Sequence, residues 1–393
     1  MLRGLSTKAL LVSLKQQSEF IGWNVAHHGG GYGGDIDFLK RLNPIHSLDT
    51  GFRFDDSFNE QTQDDNHDYY IDCQVYGERK FDGSCTGIIK KCLHPFVRQD
   101  AYDGMVRNGR ISDPESKYAG MGAEEVFEKW DREGKEARTY GTRMHKEIEK
   151  FYNNCADWTT SADWLTDPNV SPSLKRFIEF HVTEVVGKLA LLRTEQNIWS
   201  RRYEFAGQCD ILFQRVEWLN DPVKCKWVII GDWKRTKKDL HNQTAYRGKK
   251  MLGAAASLDE VSLNEYRLQM TFYGHVLQER TDYVVKEMYV GAFHENNPTY
   301  VWKKIEPVWG IVKTLLTQRR QSLLHKYTEL QAKHSHILAD IFDEEADESS
   351  MDLDSLRERR DASVEILRKT SLALRDLLTE QSAFGATDEA VYS

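Results

Sequence analysis

The chain has 393 residues, of which 40% are hydrophobic and 11% aromatic, and a formal net charge of -8. That supports a real core, in one large domain with extensions or in two domains, and excludes a chain-wide polyanion binder; any nucleic-acid surface must be a local basic patch. Six scattered cysteines (Cys73, Cys85, Cys92, Cys155, Cys209, Cys225) form no C-x-x-C pair. With no secretory signal and no run able to span a bilayer, they predict reduced thiols in an intracellular protein without a membrane role.

The first eighteen residues hold Arg3, Lys8 and Lys15, no acid, and a leucine-rich face. This fits a mitochondrial transit peptide and fits an ordinary N-terminal helix equally well. The glycine-rich run His27 to Asp35 is a breaker, and the acidic stretch Asp55 to Asp68 reads as a loop or disordered linker. Residues 1–68 therefore form an expected extension, with globular composition from Tyr69. Two helices are expected in the segment from Met121 to Asn154, with a break around Gly134, and another over Pro172 to Arg193.

Three short β-branched and aromatic runs follow, Ile198 to Phe205, Gln208 to Val216 and Lys224 to Trp233. They predict mostly antiparallel strands. A helix over about Ser257 to Glu279, a strand over Val284 to His294 and a long helix from Glu306 toward His336 complete the pattern, so the main domain spans 69–338. Residues 339–393 read as an acidic linker around Asp343 to Asp354, then a peripheral charged helix. The linker is a solvated tail or a site for a protein partner. Strands placed between helices predict an α/β fold with a mixed sheet.

Within this frame, "VIIGDWKRTKK" runs from a strand buried on both faces into Asp232 and Lys234. Residues two apart on a strand share a face, and a buried carboxylate needs a cation or a metal. "GQCDILF" supplies Asp210, expected beside Leu212 with Cys209, Ile211 and Phe213 opposite. On neighbouring strands the two aspartates converge as hard oxygen ligands suited to Mg2+ or Mn2+. Upstream, His145 and Glu149 are four apart on a helix, after Gly141; downstream, Gln269 and Tyr273 repeat that spacing. Arg235, Lys237, Lys238, Lys249 and Lys250 form a basic loop, which is either a solvated surface or a set of phosphate contacts.

In order the motifs read G-x-x-x-H-x-x-x-E, G-x-x-D, D-x-K and Q-x-x-x-Y. This resembles the RecB-like branch of the PD-(D/E)XK nuclease superfamily, over roughly Gly141 to His294. Cys209 stands where that superfamily is named for a proline, and no P-loop is present. The resemblance implies a restriction-endonuclease-like core and a metal-dependent DNA nuclease, acting on single strands or free ends in replication, repair or recombination. It implies metal ligation by His145, Asp210 and Asp232, catalytic support from Lys234 and Glu149, and positioning of nucleic acid by Gln269 and Tyr273. A structure-selective endonuclease of the same fold, or a non-catalytic nucleic-acid-binding module, are the alternatives.

Overall fold

The computed structural model describes residues 38–55, 58–59, 64–65, 68–73, 77–81, 83–153, 171–345 and 353–379. The described elements run α1 (Phe38–Leu42), α2 (His46–Asp49), β1 (Phe52–Asp55), β2 (Phe58–Asn59), β3 (Asp64–Asp65), β4 (Asp68–Cys73), β5 (Gly77–Lys80), α3 (Cys85–Lys90), α4 (Arg98–Arg107), α5 (Ala123–Asn153) and α6 (Pro172–Phe180). They continue with β6 (Leu189–Ser200), β7 (Phe205–Arg215), β8 (Trp227–Lys234), α7 (Ser262–Arg280), β9 (Val284–Ala292), β10 (Val301–Lys304), α8 (Trp309–Glu345) and α9 (Leu353–Thr379). The fold is mixed α/β.

The central sheet has five strands in the order β10-β9-β8-β7-β6. Only β8 and β9 pair in parallel; the other neighbours are antiparallel. The strand β8 explains the sandwich by alternation. Val228 and Ile230 pack with Leu268, Phe272 and Val276 of α7, while Ile229 and Trp233 pack with Phe151 of α5 and Phe177 of α6. Strands covered on both faces in this way lose the polar alternation of a one-sided sheet.

Several expectations need correction. Gly134 does not break a helix: α5 runs continuously through it, because Glu133, Lys135, Glu136 and Ala137 around it are strong helix formers. The helix from Pro172 stops early. Ser171 caps it through the Leu174 amide, one π-helical turn follows at His181–Val185, and the chain reverses at Gly187, whose φ is +72°. The strand β6 therefore starts at Leu189, where helix was expected. Strand β10 and the small sheet β1-β4-β5 were not foreseen. The expected domain start at Tyr69 falls inside that small sheet, and β2 pairs with β3 within the expected linker. Phe52, Phe81 and Trp199 join the small sheet to β6.

Helix α9 folds back antiparallel on α8, as the contacts Gln331–Ser371 and His334–Ser363 and the Arg320 bond to the Leu377 carbonyl show. Residues 1–37, which include the segment that fits a transit peptide or an ordinary N-terminal helix, and residues 346–352 of the expected acidic linker lie outside the described residues. Among the described residues no helix is long and apolar enough to cross a membrane.

Candidate metal centre

The register of the sheet builds the site. Pairs Thr194↔Ile211 and Gln196↔Cys209 place Glu195 opposite Asp210. Pairs from Phe213↔Ile229 to Ile211↔Gly231 place Asp232 opposite Asp210 on the other side, one step past the last recorded pair. Three carboxylates thus fall in one row across β6, β7 and β8. Like charges directly opposite on neighbouring strands destabilise a sheet, so this row requires cations.

Two cationic side chains answer it. His145 Nδ1 lies 3.5 Å from Glu195 Oε1 and 3.7 Å from Asp210 Oδ1. Lys234 Nζ lies 2.6 Å from Asp232 Oδ2, on the same face of β8 as predicted, and 5.1 Å from the centre of the Tyr266 ring. Burial alone would lower the His145 pKa, but the charges of Asp210 and Glu195 outweigh it and push it up to about 9. Burial likewise opposes charge on Lys234, and Asp232 and Asp210 raise its pKa regardless. Asp232 is pushed up to about 6, by burial first and by Asp210, against the pull of Lys234. Asp210 is raised by burial, with His145 acting against the rise.

Asp210 is the hinge of this arrangement. Its Oδ2 accepts the backbone N–H of Trp233, so a side chain takes the place of a ladder partner where β7 and β8 part. The predicted alternation fails here: Cys209 packs with Leu212 on the α7 side, and Ile211 and Phe213 stay on the α5 side. This local twist lets Asp210 reach β8 with one oxygen and His145 with the other. Asn153 holds α5 in place by donating to Thr194 Oγ1, next to Glu195.

The ligand atoms of His145, Glu195 and Asp210 all lie within 4.8 Å of one another. Asp232 is not in that set, but it is only 1% exposed and neither of its oxygens receives a well-directed hydrogen bond, despite the ion pair to Lys234. Buried acceptors left this way are costly. With His145 neutral, three carboxylates against one ammonium leave two negative charges, which one divalent cation balances. Carboxylates together with an imidazole are donors for a divalent metal ion, so this group could hold one.

Glu195 was missed by sequence reasoning. An acid between Thr194 and Gln196 carries no motif, and only the register shows that it faces Asp210. Its φ of +44° is the structural signal, since a non-glycine residue there is strained. Glu149 lies one turn beyond His145 and is half-buried, but it is not part of the converging set. Tyr273 is 3% exposed and accepts a 2.9 Å bond from Gln269 Nε2. A Cβ at Gly207 would lie 2.7 Å from the Tyr273 ring, so Gly207 is there to let α7 close on β7 three residues before Asp210. The pair thus braces β7, and Tyr273 presents little surface to a ligand.

The basic loop is fastened rather than free. Lys249 pairs with Glu260 at 2.9 Å and Lys250 with Asp259 at 2.7 Å. Lys238 donates to Ser262 Oγ, and Gln243 accepts the Leu263 amide at the start of α7. Arg235 is held by Glu295. Lys237 is exposed and has no acid within ion-pair range among the described residues. No protein-family model matches this chain, and no curated protein matches its sequence.

Proposed function

We propose that this chain is a metal-dependent nuclease of the RecB-like PD-(D/E)XK type, an exonuclease hydrolysing phosphodiester bonds of single-stranded DNA or at DNA ends. The observation that carries the reading is the carboxylate row Glu195–Asp210–Asp232, with His145 at one end and Lys234 at the other. A five-stranded mixed sheet between helices is compatible with a restriction-endonuclease-like core. Within that branch, the Asp-Trp-Lys form and the basic residues after it look most like the mitochondrial genome maintenance exonuclease.

His145, Glu195, Asp210 and Asp232 would hold Mg2+ or Mn2+. When bound, such an ion polarises the scissile phosphate and lowers the pKa of a water. The protein does the rest. Asp232, already buried with one oxygen ion-paired to Lys234, needs no further desolvation to act as a ligand. Lys234 stays protonated and is placed to neutralise charge that develops on a phosphoryl oxygen. Tyr266 fixes the ammonium from one side. Gln269, Tyr273 and Gly207 hold the strand that carries Asp210.

Labelled linear and circular single-stranded DNA, incubated with magnesium, manganese or EDTA, tests the reading. Metal-dependent shortening of linear strands is expected. Cutting of circles would favour the endonuclease alternative, and unchanged cleavage in excess EDTA would remove the metal mechanism.

A further inference from the structure

The helix α5 carries two features that neither its packing nor the metal centre uses. Tyr140 is a large aromatic left 50% exposed. Its ring lies 4.8 Å from the Arg235 guanidinium, and Arg235 directly follows Lys234. The Arg235 side chain is itself only 13% exposed and is clamped by Glu295, so one side of the ring has a fixed cationic backing. The second feature is Gly141. A Cβ built there meets nothing within 4 Å, and the residue sits inside a long helix with no left-handed φ. Glycine in a helix interior costs stability. Among the described residues nothing crowds this one, so the bare backbone faces open space there.

The helical geometry relates these features to the site. Gly141 and His145 are four apart and share a face. Tyr140 and His145 are five apart, about 140° around the axis. The buried stripe of Met144, Ile148 and Phe151 lies between those two directions. Gly141 lies on the same arc, N-terminal to that stripe, so a chain leading from the carboxylate row toward the Tyr140 ring can cross α5 only at the level where Gly141 has no side chain.

We infer that Tyr140 is a stacking platform for an unpaired base, next to the nucleotide at the carboxylate row, and that Gly141 makes room for that strand. The inference rests on the nuclease reading and narrows its substrate class to single-stranded nucleic acid. A ring can stack any base, so the platform selects for unpaired bases and not for sequence. Arg235 holds the ring and is a positioning residue. Lys237, exposed two residues further on, can contact the neighbouring phosphate.

The test measures binding of a labelled single strand in EDTA, for the wild type, Tyr140→Phe, Tyr140→Ala and Gly141→Leu, along with thermal unfolding. Tyr140→Phe should bind as the wild type does, and Tyr140→Ala should bind about tenfold more weakly, the size expected for one base–aromatic stack. An abasic nucleotide walked along the strand should weaken wild-type binding at one position and leave Tyr140→Ala unaffected at that position. Gly141→Leu should bind more weakly while unfolding at the same or a higher temperature, because leucine favours the helix. Equal affinity of Tyr140→Ala and wild type, with the same abasic profile, overturns the platform and leaves the nuclease reading standing. A wild type that neither binds nor cleaves any strand overturns both.

Discussion

Two charge clusters lie along the same stretch of chain, and they differ in kind. The basic loop after β8 looks functional in the sequence, yet Lys249, Lys250 and Arg235 are each held by an acid and Lys238 by a serine. The row Glu195, Asp210 and Asp232 is poorer in motif, yet its carboxylates face one another across the sheet. Exposed ion pairs of the loop type are worth little individually. A buried row of like charge is expensive and persists only where something compensates it. The difference locates a site better than charge density does.

Substitutions in the row should have the largest effects. Asp210→Asn or Asp232→Asn should abolish detectable cleavage with the circular-dichroism spectrum retained, because each removes a ligand charge. Lys234→Ala should lower single-turnover cleavage by about 10²–10³-fold and leave strand affinity nearly intact. Lost affinity with an unchanged rate would reduce the lysine to a phosphate anchor.

Glu195 sharpens the comparison, since it is both a charge and a strained residue. Glu195→Gln should weaken Mn2+ binding by about 10–100-fold in calorimetry. Glu195→Gly should weaken it as well, yet raise the metal-free unfolding free energy by roughly 1 kcal/mol, because glycine accepts the positive φ. A loss of stability in Glu195→Gly would remove strain as the reason for that backbone.

The pH response follows from His145. Its folded pKa of about 9 lies above the ordinary value of 6.5. In the metal-free protein its contribution to stability is therefore fully present below about pH 6.5 and is lost as pH rises through about 9. Metal binding needs the neutral imidazole, so it releases a proton below pH 9. Mn2+ affinity should fall by about tenfold per unit of decreasing pH in that range. His145→Gln should flatten both profiles; a steep metal profile in that variant would place the proton elsewhere.

The smallest effects belong to the loop. Lys249→Ala with Lys250→Ala should cost at most about 1 kcal/mol per pair and leave the salt slope of strand binding almost unchanged, since both lysines already have acids. Lys237→Ala should instead reduce that slope by about 0.7, one phosphate contact to a single strand. The reverse pattern would mean that the loop opens to bind nucleic acid.

The sequence by itself determined what is local. A continuous apolar run marked β8 as covered on both faces, and spacing put Asp232 and Lys234 on one side of it, where they pair. Helical period put Gln269 beside Tyr273. What it could not determine depends on register and on departures from register. Glu195 joins the site only because β6 pairs with β7 in one particular alignment. Asp210 reaches His145 only because the strand twists where the Trp233 amide binds a side chain in place of a backbone carbonyl. The fate of Arg235, Lys249 and Lys250 in the basic loop was set by acids nine or more residues away, at Glu295, Glu260 and Asp259. Local periodicity follows from backbone geometry and can be read along the chain. Pairing between distant strands and the compensation of buried charge belong to the packed structure, because both depend on which surfaces meet.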